Sequence, residues 1–117
     1  MFDINKTIEQ IKKVSNLDNL GMILVHNGVV RGTSKSGKKV RKMLLIYDKQ
    51  KLDGLVKEVN KLSFVESCII WINEGELSIG DDIMYVILAG NNRKKLLPLF
   101  EDIIETLKNS VVEEKEL

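Results

Sequence analysis

Seven consecutive residues, Ile83-Met84-Tyr85-Val86-Ile87-Leu88-Ala89, form the longest apolar run in the chain. The run is far below the roughly 18 residues that a membrane span requires. A turn glycine and two aspartates, Gly80-Asp81-Asp82, precede it. Such a stretch reads as a buried strand, the most apolar in the chain and central in its sheet. The rest of the chain must then supply neighbours for its edges and cover for its faces.

Those partners are visible as alternating periodicities. Ile4, Ile8, Ile11 and Val14 recur at helical spacing behind a capping Asp3, which predicts a helix over residues 4–15. Residues 21–26 read as a strand, residues 33–37 as a loop and residues 40–47 as the returning strand. Leu52, Leu55, Val56, Val59 and Leu62 form a second helical stripe. Residues 64–72 read as a third strand and residues 73–75 as a turn, after which Leu77 and Ile79 alternate with polar residues. Leu96, Leu97, Leu99, Phe100, Ile103, Ile104 and Leu107 make a broad helical stripe. Pro98 within it is tolerated only near a helix start, so the helix begins near Asn92 or a few residues later. The order is helix, strand, strand, helix, strand, strand, helix. Consecutive strands joined by turns predict antiparallel pairs with helices packed on the sheet, an α+β fold with an antiparallel or mixed sheet.

At 117 residues, with 44% hydrophobic and 30% charged residues, the chain fits one domain, residues 1–117, with 110–117 a candidate mobile tail. The lone Cys68 lies in an apolar run and reads as a small buried hydrophobe. A nucleophilic role would need a base, and the only histidine, His26, lies in a different strand. One cysteine gives no disulfide framework, and Met1–Lys6 has no apolar signal core, so the expected compartment is the cytoplasm. One His and one Cys offer no metal-ligand spacing, and no cofactor fingerprint is present. The near-balanced charge of +1 and 5% aromatic content argue against nucleic acid as the main partner.

The positive charge is local. Arg31, Lys35, Lys38, Lys39, Arg41 and Lys42 crowd one segment with no acid between them. A solvated loop and an anion-binding loop both fit. Asn92-Arg93-Lys94-Lys95 opens the last helix, where cations are slightly unfavourable for the helix and a bound phosphate would explain them. Lys108 ends that helix, and Lys115 follows among Glu113, Glu114 and Glu116.

Several of these segments resemble the large, catalytic subunit of molybdopterin synthase. Gly75-Glu76-Leu77-Ser78-Ile79-Gly80-Asp81, the following strand and Asn92-Arg93 resemble the family's Gly-x-Leu-x-(Val/Ile)-Gly-Glu stretch, strand and His-Arg pair. Gly28-Val29-Val30-Arg31 resembles its Gly-x-Val-Arg segment, and Leu107-Lys108 with Lys115 keeps the spacing of two family lysines. Asn92 stands where the family has histidine. Ile72-Asn73 replaces a second His-Arg pair, and Val112-Glu113-Glu114 replaces Pro-Phe-Trp.

The resemblance implies an α/β-hammerhead-like fold and a homodimer binding two small ubiquitin-like sulfur-carrier subunits as a heterotetramer. It implies sulfur transfer from a small-subunit thiocarboxylate to cyclic pyranopterin monophosphate, without a cofactor. Lys108 and Lys115 take the catalytic positions, neutralising the tail carboxylate, forming an adduct with it or acting as an acid. Arg31, Asn92 and Arg93, with Lys38 and Lys39, are the candidate anion-binding residues. The alternative is a non-catalytic, anion- or pterin-binding or regulatory relative.

Overall fold

Three helices begin where a side-chain oxygen is available to cap them. In the computed structural model, which describes residues 1–117, α1 spans Ile4–Val14, α2 Lys49–Asn60 and α3 Arg93–Thr106. Their caps are Asp3, Asp48 and Asn92, which accept from the backbone N–H groups of Lys6, Lys51 and Lys94 at 3.0 Å each. Each such cap contributes about 1 kcal/mol. Pro98 is the sixth residue of α3, which starts at Arg93 as its sequence context suggests. The helix continues through it, losing only the bond that a proline nitrogen cannot donate. Val14 closes α1 with its side chain 70% exposed, so it does not belong to the buried stripe.

Six strands form two antiparallel sheets. β1 (Met22–Val29), β5 (Asp82–Gly90) and β3 (Val65–Ile72) make one, in the order β1-β5-β3. β4 (Gly75–Ser78), β2 (Lys42–Tyr47) and β6 (Val112–Glu116) make the other, in the order β4-β2-β6. The apolar strand is central, as expected: Ile87 lies between Val25 of β1 and Ile69 of β3. Successive β5 residues point to opposite faces. Met84, Val86 and Leu88 join Val59, Leu96, Ile103 and Leu107 in the main core under α2 and α3. Ile87 and Ala89 pack with Ile11 beneath α1. Burying a large apolar side chain contributes about 1.5–3 kcal/mol, so both faces of β5 are strongly held.

The pairing of consecutive strands is not what forms. Both edges of β5 are taken by β1 and β3, so β2 and β4 pair with each other in the second sheet. β1 runs on through Gly28, where a turn was expected. The chain then makes a small hairpin, in which Val40 N–H donates to Gly32 O at 2.9 Å and Ser34 N–H to Lys38 O at 2.8 Å. Gly37 provides its positive φ of +85°.

The expected mobile tail is β6. It pairs with the free edge of β2, Lys115 opposite Leu44, and Leu117 N–H donates to Lys42 O at 2.9 Å. Main-chain hydrogen bonds hold this strand, and they need no apolar alternation in the side chains.

Candidate functional site

α3 follows β5 after a two-residue link and packs back on the sheet, so it runs antiparallel to β5 and alongside β1. At 1.5 Å per residue, Arg93 and Leu107 stand about 21 Å apart. β1 spans a similar length, about 23 Å from Met22 to Val29 at 3.3 Å per residue. The N-terminal end of α3 therefore lies by Gly21 and Met22. With Asn91, Asn92, Arg93 and Lys94, these residues line a cleft of about 390 Å³. The C-terminal end of α3 lies at the opposite end of the sheet.

That opposite end holds Lys108 and Arg31. Lys108 sits in a π-helical turn, Leu107–Val111, that extends α3. Leu107 and Val111 are buried and clamp the turn, which leaves Lys108 exposed. The π turn adds a residue per turn and re-aims its side chains, a feature common at functional positions. Arg31 follows β1 at the same end. Its Nε donates to Thr33 O at 2.8 Å, which fixes the stem and leaves the guanidinium tip uncommitted. Val30 N–H donates to Asp81 O at 2.9 Å, so Arg31 is anchored to the turn that precedes β5.

Four of the seven candidates divide between two ends. Asn92 and Arg93 occupy one end, and Arg31 and Lys108 the other. Lys38 and Lys39 are exposed on the small hairpin, with Thr33 bridged to Lys39. Lys115 is exposed on β6, on the same face as its opposite residue Leu44. Glu114 and Glu116 alternate to the other face of the strand. The only ion pair in the chain joins Lys42 to Glu76 at 2.8 Å. None of the candidate cations is neutralised by a carboxylate of its own chain.

Sequence reasoning passed over His26. It shares a face of β1 with Met22, Leu24 and Gly28, and it is the one polar side chain in that series. Its pKa is lowered from 6.5, first by burial and then by the nearby Lys108 ammonium. The strand alternation held this signal, because a histidine on the apolar face has few reasons to be there. Cys68 is 3% exposed, and burial pushes its thiol up to about 12. Its backbone is held by Asn60, whose Oδ1 accepts from Cys68 N–H at 2.9 Å and whose Nδ2 donates to Cys68 O. That thiol is a core group and no nucleophile.

Residues 1–110 match the MoaE protein family. The chain belongs to the MoaE family. Its fold is similar to molybdopterin synthase from Staphylococcus aureus, at 26% identity and a TM-score of 0.74, covering 93% of this chain and 82% of that one. It is also similar to the MoaE protein from Burkholderia ambifaria, at 20% identity and a TM-score of 0.75, covering 98% and 79%. A complex of subunits 1 and 2 of molybdopterin-converting factor from Helicobacter pylori shares the fold at 18% identity and a TM-score of 0.73, covering 99% and 79%. No curated protein matches the chain by sequence.

MoaE is the molybdopterin synthase large-subunit family, and membership places this chain in molybdenum-cofactor biosynthesis. The cationic ends suit that setting chemically. Guanidinium groups hold phosphate by forked, charge-assisted hydrogen bonds, and an unpaired lysine neutralises a carboxylate. No helix is long and apolar enough to cross a membrane.

Proposed function

We propose that this MoaE-family chain is the large subunit of a molybdopterin synthase. In this reading, a small ubiquitin-like subunit delivers sulfur from its C-terminal thiocarboxylate to cyclic pyranopterin monophosphate. Lys108, with Lys115, receives the charge of the tail, and Arg31 holds phosphate. The observation that carries the proposal is that Lys108, in the π turn, and Arg31, after β1, lie towards the same end of the sheet without a carboxylate partner, within the family match.

Arg93 and Asn92 lie about 20 Å from Lys108 along α3, too far to touch the same small anion. A homodimer in which the Arg93 end of one copy meets the Lys108 end of its partner would reunite them. A homodimer has two such junctions, one for each small subunit of a heterotetramer. The likeness to a complex of subunits 1 and 2 of molybdopterin-converting factor supports such a partner.

The test is direct. The chain is mixed with a thiocarboxylated small subunit and cyclic pyranopterin monophosphate, and the pterins are followed by mass spectrometry. Sulfurated product supports catalysis. Its absence, in a preparation that binds both partners, leaves a non-catalytic, pterin-binding or regulatory relative. That second reading draws on Asn92, whose carboxamide donates to an anion but shuttles no proton.

A further inference from the structure

Resting on the reading that Lys108 lines the transfer site, we propose that His26 contacts the same anion and acts as a second cation that switches on as pH falls. Three features of its position carry this. First, His26 sits on the α3-facing side of β1, opposite Val86, and is half-buried rather than sealed. Second, its ring makes no hydrogen bond to the protein, while every fully buried polar side-chain atom has a partner. An imidazole on an apolar face, with no protein partner for either nitrogen and its edge open to solvent, is available to a ligand. Third, its Nε2 faces Gly28, where a Cβ would stand only 3.6 Å away. No side chain at position 28 covers that nitrogen.

The surrounding charges fix the sign of the effect. From the π turn, the Lys108 ammonium is near enough to act on His26. From β5, the neighbours are the apolar Met84 and Val86. The acids of α3, Glu101, Asp102 and Glu105, lie on its exposed side. At the start of β5, Asp82 accepts from Asn27 Nδ2 at 3.0 Å, and Asp81 accepts from Ser78 N–H at 2.8 Å. No acid compensates the histidine, so protonation is opposed by burial and by Lys108, and the free protein carries a neutral ring at pH 7. An anion beside Lys108 offsets that ammonium and attracts an imidazolium, which favours the protonated ring. Binding then takes up a proton, and affinity rises as pH falls through the titration of the occupied site.

His26 is the only histidine in the chain, so its ring C2–H resonance is unambiguous. The full chain is titrated between pH 5 and 8 with saturating sulfate, whose charge is constant over that range, and with chloride at matched ionic strength. Sulfate should raise the His26 midpoint by about half a unit or more, a roughly threefold linkage. Lys108→Ala should raise the midpoint in chloride and remove the sulfate effect. In the sulfur-transfer assay, the wild-type KM for the pterin should fall with decreasing pH, while His26→Phe and His26→Gln should give flat profiles. A midpoint that ignores sulfate, or variants that retain the wild-type pH dependence of KM, overturns the proposal. If the wild type makes no sulfurated pterin at any pH, the transferase reading fails instead, and the sulfate titration still decides the role of His26.

Discussion

Two glycine-to-alanine substitutions should move stability in opposite directions. A Cβ at Gly90 would collide with the carbonyl oxygen of Phe64 and stand 3.1 and 3.2 Å from the two methyl carbons of Leu96. The obstacle is backbone, and it is anchored: Phe64 O accepts from Asn91 N–H, and Gly90 O from Gly21 N–H at 2.7 Å. Overpacking a core costs about 1–3 kcal/mol, and an immobile carbonyl places this case near the top of that range. Alanine's stiffer unfolded chain returns about 0.4–1 kcal/mol, for a net loss of roughly 2–3 kcal/mol. For a chain of 117 residues, 1 kcal/mol corresponds to about 4 °C, so Gly90→Ala should lower Tm by roughly 8–12 °C. Gly54 lies inside α2, exposed, with nothing within 4 Å of its Cβ position. Gly54→Ala should gain up to about 1 kcal/mol of helix propensity, or about 4 °C. Thermal unfolding by circular dichroism reads both. A Gly90→Ala protein that melts within 2 °C of the wild type would refute the argument that the β5–α3 junction is sterically closed.

Other expectations follow from single contacts. Asn92→Ala should cost about 1 kcal/mol through its lost cap, whereas Asn92→Asp should keep Tm and weaken sulfate binding, measured by calorimetry. Glu66 accepts from Asn19 Nδ2 at 2.9 Å and from Asn16 N–H at 2.7 Å, and these bonds lower its pKa from 4.5. A depressed carboxyl stabilises the fold above its unfolded value and loses that contribution as pH falls through the folded one. The gap between wild-type and Glu66→Gln urea midpoints should therefore be present at pH 7 and shrink by pH 3. Cys68 should resist iodoacetamide at pH 8 in the native state and react on unfolding. Rapid native alkylation would contradict its burial.

Helix caps, helical stripes and the central strand were legible because each is a local pattern. Asp3, Asn92 and the run at residues 83–89 announce themselves within one turn or one strand. Strand pairing was not legible, since nothing near β1 says that its edge partner lies some 60 positions onward at β5. β6 was hidden for another reason. Glu-Glu-Lys-Glu has no apolar alternation, and the strand exists because β2 offers a free main-chain edge. The division of the cations into two ends needed direction as well as sequence. Only once α3 is seen to run beside β1 do Arg93 and Lys108 separate and His26 come within electrostatic reach of Lys108.

The most direct test of the account is the rate of sulfurated pterin formation by Lys108→Ala, compared with Lys57→Ala, another exposed lysine on α2. Removal of a charge-bearing catalytic group costs on the order of 100-fold or more. Lys108→Ala should lose at least that much with an unchanged Tm, and Lys57→Ala should retain the wild-type rate. Equal rates for both variants would contradict the assignment of the π-turn end of α3 as the transfer site.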